Sequence, residues 1–187
     1  MTKTALLIID VQNDYFIGGK MPLFEPEQAL AQINQLEQAF HQHKDPIIYI
    51  QHIFADVPAP FFEKHTHGVQ LHADLAVYEG AKKKKKAFPN SFFNTELKAL
   101  FDQLEVKNVV ITGMMTHMCV DATTRAAVEL GYHTTVISDA TATRDLSFAE
   151  QMTSASQVQT ALLSAFQMIT TVHSVVDYLS IYESNTR

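Results

Sequence analysis

The chain contains one thiol that could act as a covalent nucleophile: Cys119, the only cysteine among its 187 residues. Cys119 follows an apolar run at 109–111 and the loop 113–118, and it begins a segment with helical spacing. A helix start favours a thiolate through its dipole and its free backbone N–H groups, and the same groups can hold an oxyanion. Position alone leaves a second interpretation open, because most lone cysteines are small buried apolar residues.

A thiol nucleophile also needs a base and a compensating charge close by. Asp10 directly follows the apolar run 5–9, and a carboxylate there is costly to bury unless it is paired. It could equally be a helix-capping or loop acid, and Asp14 is its rival; we favour Asp10 because Asp14 lies deeper in the loop. His117 is not the obvious base for Cys119, since residues two apart near a helix start do not face each other, so we interpret it as a loop or interface histidine. A lysine near both Asp10 and Cys119 would hold the carboxylate and favour the thiolate.

Strands and helices alternate along the chain, and this alternation must position those residues. Apolar runs predict strands at 5–9, 47–50, 108–112, 133–138 and 168–172, and 84–87 could be a further short strand. Helical spacing predicts helices at 26–43, 95–104, 119–130 and 147–166. Strands separated by helices pair in parallel through right-handed crossovers. We therefore expect a single α/β domain over residues 1–187, a doubly wound, mostly parallel six-stranded sheet with helices on both faces. Such three-layer sheets bind ligands beyond the carboxyl ends of their strands.

Composition and charge exclude several classes of function. The net charge is −6, and Lys82–Lys86 holds five of the 14 basic residues, which leaves nine basic residues against 20 acidic ones. Nucleic-acid affinity rests on neutralising phosphates, and the lysine run has no interleaved aromatic or arginine residues, so we expect no nucleic-acid partner. No apolar run is long enough for a membrane span and no signal-peptide pattern is present. With a single cysteine and no internal disulfide, we expect a cytoplasmic protein without a membrane partner.

Three motifs resemble, in order, those of the isochorismatase-like cysteine hydrolases, which are amidohydrolases related to nicotinamidases. They are the opening motif at 6–16 (LLIIDVQNDYF), the lysine motif at 86–97 (KAFPNSFFNTEL) and the nucleophile motif at 113–127 (GMMTHMCVDATTRAA), and 138–140 (SDA) matches a later strand end. The resemblance covers nearly the whole chain and implies a catalytic triad of Asp10, Lys86 and Cys119. Asp10 would take the thiol proton and later activate water, while Lys86 would orient Asp10 and stabilise the thiolate. Only Lys86 has the family spacing, so residues 82–85 are expected to face solvent.

The resemblance also implies a particular backbone beside the nucleophile. A cis peptide bond between Met114 and Met115 would direct the N–H of Met115, together with that of Cys119, towards the oxyanion. Four side chains are further candidates for the substrate pocket, two as apolar walls and two as polar contacts: Phe16, Phe92, Gln12 and Asn90.

Two departures from the family narrow the expected reaction. Isochorismatases proper, which cleave a vinyl ether, lack the nucleophilic cysteine, so that reaction is disfavoured here. Nicotinamidases carry a metal-binding Asp-x-His pair after the second strand, but residues 49–54 here read YIQHIF. His65, His67 and His72 follow in the next loop and could suggest a metal site by spacing alone. We interpret them as polar loop histidines, expect neither metal nor cofactor, and regard nicotinamide as a poor substrate candidate.

The expected activity is cysteine-dependent hydrolysis of an amide-type C–N bond in a small molecule, through a thioester and with release of ammonia or an amine. The alternative is a non-catalytic member of the same fold that binds a ligand or partner. A thiol oxidoreductase is disfavoured because no second cysteine could resolve a disulfide. The resemblance implies a homo-oligomer, a dimer or larger, for which the C-terminal region and the Phe61–Phe62 loop are candidate interfaces. Specificity is expected to come from residues 53–86, and a neighbouring subunit could also contribute to it.

Overall fold

A computed structural model describes residues 3–185 of the chain. Its strands are β1 (Lys3–Ile9), β2 (Ile47–His52), β3 (Lys82–Lys86), β4 (Val106–Met114), β5 (His133–Ala142), β6 (Leu146–Phe148), β7 (Gln151–Thr153) and β8 (Thr171–His173). Its α-helices are α1 (Pro26–His43), α2 (Leu97–Gln103), α3 (Asp121–Glu129), α4 (Ala155–Gln167) and α5 (Val175–Asn185). Within residues 3–185, no helix is long and apolar enough to cross a bilayer.

Six strands form one sheet in the order β3-β2-β1-β4-β5-β8, and every neighbouring pair is parallel. The predicted six-stranded parallel sheet is therefore confirmed. Ile9 of β1 lies level with Ile50 of β2 and with Gly113 of β4. Because these registers match, the carboxyl ends of the central strands meet at one edge, which is where the predicted site residues lie.

Apolar side chains on the two faces of the sheet form two separate cores, as a doubly wound fold requires. Leu6 and Ile8 of β1 belong to a core that contains residues of α1 and α5. Leu7 and Ile9 point to the opposite face, where α2, α3 and α4 contribute the covering residues. The strand is buried on both faces, which explains why its sequence is continuously apolar rather than alternating.

One buried carboxyl group lies inside the first core, between α1 and β2. Tyr49 O–H donates a hydrogen bond to Oε1 of Glu37, and the N–H of Ala76 donates to Oε2 at 3.2 Å. Burial raises the pKa of the Glu37 carboxyl above its usual range, although both hydrogen bonds act in the other direction.

The predicted helix at 147–166 is wrong in its first half. Residues 146–153 form the β6–β7 hairpin instead, and α4 begins only at Ala155. Ser154 caps α4, because its hydroxyl accepts the N–H of Gln157 while the Gln157 side chain accepts the N–H of Ser154. Phe148 and Met152 project from the hairpin into solvent, so the apolar periodicity there did not reflect a buried helix face.

Two further boundaries differ from the sequence-based expectation. Thr116–Val120 forms a wide π-type turn, and α3 begins at Asp121, so Cys119 precedes the regular helix rather than starting it. The last strand of the sheet, predicted at 168–172, is the short β8, and it is followed by α5, which the sequence analysis did not predict.

Candidate active site

Four polar side chains meet where neighbouring strands of the sheet end. Asp10 follows β1, His52 and Lys86 are the last residues of β2 and β3, and Cys119 lies in the turn after β4. The backbone of Asp10 has a φ of 53°, in the left-handed region that aspartate tolerates better than most residues. The chain turns sharply there, directly after the central strand.

Lys86 and Asp10 form a buried ion pair. Lys86 Nζ lies 2.7 Å from Asp10 Oδ2, and both side chains are completely buried. Nζ also donates a hydrogen bond to the carbonyl of Pro89 at 3.0 Å. Burial is the largest influence on each pKa and opposes ionisation, but the opposite charges outweigh it, so the pKa of Asp10 is lowered and that of Lys86 is raised. Both groups are therefore charged at neutral pH.

The other four lysines of the run behave as predicted. Lys82, Lys83 and Lys85 are exposed, and Lys84 is half-buried. Lys84 Nζ pairs at 3.1 Å with Glu96, whose side chain is largely exposed. One lysine of the run thus reaches the strand-end cluster, and the remaining four are exposed or half-buried along an edge strand.

The Cys119 thiol is buried, with 3% of the residue exposed. Burial is the main cause of a raised pKa, and the nearby Asp10 carboxylate raises it further, while Lys86 acts in the opposite direction. The thiol is therefore protonated at rest, which differs from the expectation that a helix start would favour the thiolate. The physical reason is first the burial of the thiol and then the charge beside it, because a thiolate formed by loss of the proton to water would be a second buried anion next to Asp10.

His52 belongs to this cluster, and the sequence analysis missed it. Its Nδ1 lies 3.7 Å from Cys119 Sγ, 3.7 Å from Asp10 Oδ2 and 3.5 Å from Lys86 Nζ. The signal was available in its position, because His52 ends a strand next to the one that ends before Asp10. The missing Asp-x-His pair at 49–54 argues only against a nicotinamidase-type metal site, and it leaves open a role for a lone histidine there.

Gln12, a candidate for contacting substrate, instead forms side-chain hydrogen bonds with backbone groups. Its amide nitrogen donates to the carbonyls of His52 at 2.9 Å and Val69 at 2.8 Å, and its amide oxygen accepts the N–H of His52 at 2.7 Å. Because the side chain is fully buried with these partners, it fixes the end of β2 rather than lining a pocket.

The other pocket candidates are distributed over different places. Phe16 is buried and its ring lies 4.0 Å from that of His72. Phe92 packs against Phe101 and Tyr132 in the second core, to which Cys119 also belongs. The side-chain oxygen of Asn90 accepts the N–H of Phe92 at 2.8 Å and shapes the turn after Lys86.

The rival carboxylate, Asp14, organises a loop. Its oxygens accept the N–H of Phe62 at 2.6 Å and the N–H of Lys20 at 3.1 Å. Gly68 approaches it so closely that an added Cβ would lie 2.0 Å from Asp14 Oδ1. Asp14 therefore holds the segment after β2 in place, and it is absent from the ion pair formed by Asp10.

The backbone next to the nucleophile has the form that the family resemblance implied. The peptide bond between Met114 and Met115 is cis. The preceding Gly113 has a φ of 113°, and an added Cβ would lie 2.0 Å from the carbonyl oxygen of Ile9. His117 points elsewhere, with its Nδ1 2.6 Å from the hydroxyl of Thr143, in agreement with the expectation that it is not the base.

Among residues 3–185, one group of three potential metal ligands lies close together: Asp10, His52 and Cys119, whose ligand atoms are within 4.8 Å of one another. The Lys86 ammonium is already paired with the same carboxylate at 2.7 Å, so a metal ion at this position would meet a buried positive charge. His67 and His72 line a separate cavity of about 400 Å³ together with Phe16 and Lys20, and His67 Nε2 lies 3.3 Å from the Asn13 amide.

Comparison with known proteins places this site in a family. The model of the isochorismatase domain matches residues 4–174. The chain belongs to the isochorismatase family. The isochorismatase-family protein YddQ of Bacillus subtilis (strain 168), itself uncharacterized, is 43% identical over 162 residues, which are 87% of this chain and 90% of YddQ.

Two other relatives extend the isochorismatase-family comparison. A crystal structure from Oleispira antarctica, assigned to the isochorismatase hydrolases, superimposes with a TM-score of 0.91 at 42% identity and covers 96% of this chain and 97% of that one. The ureidoacrylate amidohydrolase RutB of Pseudomonas syringae pv. syringae (strain B728a) is 25% identical over 182 residues, 80% of this chain and 74% of its own. This isochorismatase-family chain is thus a hydrolase, and its α/β fold is confirmed.

Proposed function

We propose that the protein hydrolyses an amide-type C–N bond in a small molecule, with Cys119 as the nucleophile and a thioester as the intermediate. The observation that carries this proposal is the buried thiol beside the Asp10–Lys86 ion pair, at the shared edge of the central strands. The activity named for RutB, an amidohydrolase, supports a C–N bond as the target. A thiol with 3% exposure also favours a small substrate, because a folded polymer could not reach it.

The first half of the reaction forms the thioester. Cys119 Sγ bonds to the carbonyl carbon as its proton passes to the Asp10 carboxylate, which later gives that proton to the leaving nitrogen, and the carbonyl π electrons move to oxygen. The backbone N–H groups of Met115 and Cys119 would stabilise this oxyanion. The carbonyl then re-forms, the C–N bond breaks with its electron pair on nitrogen, and the nitrogen takes a proton and leaves as ammonia or an amine.

The second half regenerates the thiol. Water loses a proton to the buried cluster and attacks the thioester, the C–S bond breaks, and the sulfur recovers a proton as the acid leaves. Every proton moves within the group formed by the thiol, Asp10 and their neighbours. The net charge of the buried site is therefore unchanged in each step, whereas release of the thiol proton to solvent would leave an additional buried anion.

The test is ammonia release from a panel of small amides, ureides and carbamoyl compounds by wild type and by the Cys119→Ala and Cys119→Ser variants. Wild type is expected to release ammonia from at least one class, and both variants to lose that release. Turnover by Cys119→Ala of a compound that wild type hydrolyses would refute the assignment of the nucleophile.

A second measurement separates the proposed hydrolase from a non-catalytic binding protein. Mass spectrometry of wild type, quenched during turnover, is expected to show the mass of an acyl group on Cys119. No ammonia release across the panel, together with a Cys119 that does not react with iodoacetamide, would favour the binding protein.

A further inference from the structure

Arg144 lies at the same edge of the sheet as the proposed triad, although the proposed reaction gives it no role. It follows β5, in which Ala142 lies level with Met114 at the end of β4. The preceding residue, Thr143, contacts the turn that holds the nucleophile, because its hydroxyl lies 2.6 Å from Nδ1 of His117. Ligands of doubly wound sheets bind beyond such strand ends, so Arg144 is placed where a substrate would lie.

The positive charge of Arg144 acts on groups that surround the nucleophile. Burial is the main cause of a lowered pKa at His117, and the Arg144 charge lowers that pKa further. Burial also raises the pKa of the Tyr15 hydroxyl well above its usual range, and negative charge on Cys119 or Asp10 adds to that rise. The Arg144 charge opposes it. The guanidinium and the proposed nucleophile therefore lie within electrostatic reach of the same buried phenol.

The Arg144 guanidinium forms no ion pair with a carboxylate among residues 3–185. By contrast Arg125, the other arginine in that part of the chain, pairs at 2.9 Å with a carboxylate one turn away on α3. Nη1 of Arg144 lies 3.0 Å from Sδ of Met21, and a thioether sulfur is a weak acceptor. The carboxylate next to it in sequence, Asp145, accepts the N–H of Ala155 instead. This half-buried guanidinium therefore keeps most of its donors for a ligand.

Two lysines around the site already have anionic partners. Lys86 pairs with Asp10 at 2.7 Å, and Lys20 pairs with Glu63 at 3.2 Å. Because the charges of Lys86 and Asp10 cancel, an anionic group on a substrate would need a cation from outside the strand-end cluster. Arg144 supplies such a cation, and its contact with an apolar side chain lowers the local dielectric and strengthens a pair with an anion there.

We propose that Arg144 is a specificity residue that binds a carboxylate of the substrate. The substrate class is then a small amide with a separate anionic carboxylate, such as the monoamide of a dicarboxylic acid. The planar fork of a guanidinium matches a carboxylate through two parallel hydrogen bonds. The inference rests on the proposed hydrolysis and names the substrate class of that same site. Water would convert such a monoamide into ammonia and a dicarboxylate, so a dicarboxylate is the product that Arg144 would also bind.

The first experiment measures binding of dicarboxylates by titration calorimetry, which requires no turnover. Malonate, succinate and glutarate are titrated singly into wild type at neutral pH and constant ionic strength. At least one of them is expected to bind, whereas the corresponding diamide and inorganic sulfate should bind much more weakly. The Arg144→Met variant should bind that dicarboxylate about 10–100-fold more weakly, the usual effect of losing charge-assisted hydrogen bonds. The matched control is Arg125→Met, which removes the paired arginine of α3 and should bind as wild type does.

The second experiment measures ammonia release from the monoamides of the same acids. Each monoamide is compared with a neutral amide of equal length, in which a methyl ketone replaces the carboxylate. Wild type should favour the anionic compound in kcat/KM, and Arg144→Met should reduce this preference by about 10–100-fold, mainly through KM. Arg144→Lys keeps the charge without the fork and should retain part of the preference. A purely structural role would lower turnover of both compounds and leave their ratio unchanged.

Several outcomes would overturn the proposal. If wild type binds none of these dicarboxylates, the assignment is wrong even if no Arg144 variant folds. Binding that is unchanged in Arg144→Met, or that sulfate or the diamides match, also removes the assignment of a carboxylate. Failure of the proposed hydrolysis is distinguishable, because dicarboxylates would then bind in an Arg144-dependent manner while no compound released ammonia. Ammonia release with no preference for the anionic compounds would instead keep the hydrolase and reject the substrate class.

Discussion

Replacement of Lys86 by methionine removes the cation from the buried ion pair and leaves the Asp10 carboxylate without compensation. Nζ and Oδ2 are 2.7 Å apart and both side chains are completely buried. Removing one partner of a buried pair costs about 3–5 kcal/mol of unfolding free energy. For a chain of this size each kcal/mol lowers the melting temperature by about 2–4 °C, so Lys86→Met is expected to melt roughly 6–20 °C below wild type.

The difference in unfolding free energy between wild type and Lys86→Met should depend on pH, and the pKa of Asp10 fixes the direction of that change. In wild type the pKa of Asp10 is lowered, so the pair stabilises the fold above the pKa of an unfolded aspartate and loses that contribution as the pH falls through the lowered value. In Lys86→Met, burial acts without a neighbouring lysine and raises the pKa, so folding takes up a proton. The difference between variant and wild type should therefore shrink as the pH falls from 7 towards about 4.

The assay is urea and thermal unfolding followed by circular dichroism at several pH values. Lys84→Met is the matched control on the same strand, because Lys84 forms a partly exposed pair with Glu96 and should cost only about 0–1 kcal/mol. The double variant with Asp10→Asn removes both charges and should recover most of the loss. The reasoning is refuted if Lys86→Met is no less stable than Lys84→Met, or if the double variant is no more stable than Lys86→Met.

Two other substitutions test a close backbone contact beside the site and a buried carboxyl group in the first core. Gly113→Ala forces a Cβ to within 2.0 Å of the Ile9 carbonyl oxygen at a φ of 113°. Strain and overpacking of about 1–3 kcal/mol each should lower stability and ammonia release. Gly131→Ala is the control, because Gly131 has a φ of 85° but an added Cβ would meet no atom within 4 Å. It should lower the unfolding free energy by less than Gly113→Ala, and equal losses in denaturant unfolding would contradict the steric argument. Glu37→Gln removes a carboxyl whose pKa is raised, so wild type should lose stability as the pH rises above about 4.3 while the variant changes less. Parallel stability–pH curves would show that Glu37 does not titrate on folding.

The sheet could be predicted from the sequence because its strands are buried on both faces. Residues 5–9 and 109–111 are continuous apolar runs, which is the pattern that two covered faces impose. The β6–β7 hairpin could not be predicted in the same way. Its exposed Phe148 and Met152 continue the apolar spacing of α4, and periodicity does not distinguish an exposed apolar residue from a buried one.

The candidate site was likewise predictable from the sequence only in part. The strand-end rule and the family motifs located Asp10, Lys86 and Cys119, and the structure brings these three together. The protonation state of the thiol was not predictable, because it depends on how far the site is desolvated and on which charges remain inside. His52 ends a strand beside the one that precedes Asp10, so the strand-end rule could have located it. Its distances to the other three side chains were not predictable, because no spacing along the chain encodes contacts between separate strands.

The position of Lys86 on the outermost strand has a mechanical consequence. Within residues 3–185, β2 is the only strand to which β3 is hydrogen-bonded in the sheet, and the long segment 53–81 joins the two strands. Detachment of this one strand would separate Lys86 from Asp10 while the four inner strands stayed paired, and such local openings need less free energy than global unfolding. If Lys86 acts as proposed, activity depends on an edge strand, and its loss on heating would precede the loss of the core. The exposed lysines of the same strand discourage another chain from pairing with that edge, so the arrangement that weakens the site also protects the molecule from aggregation.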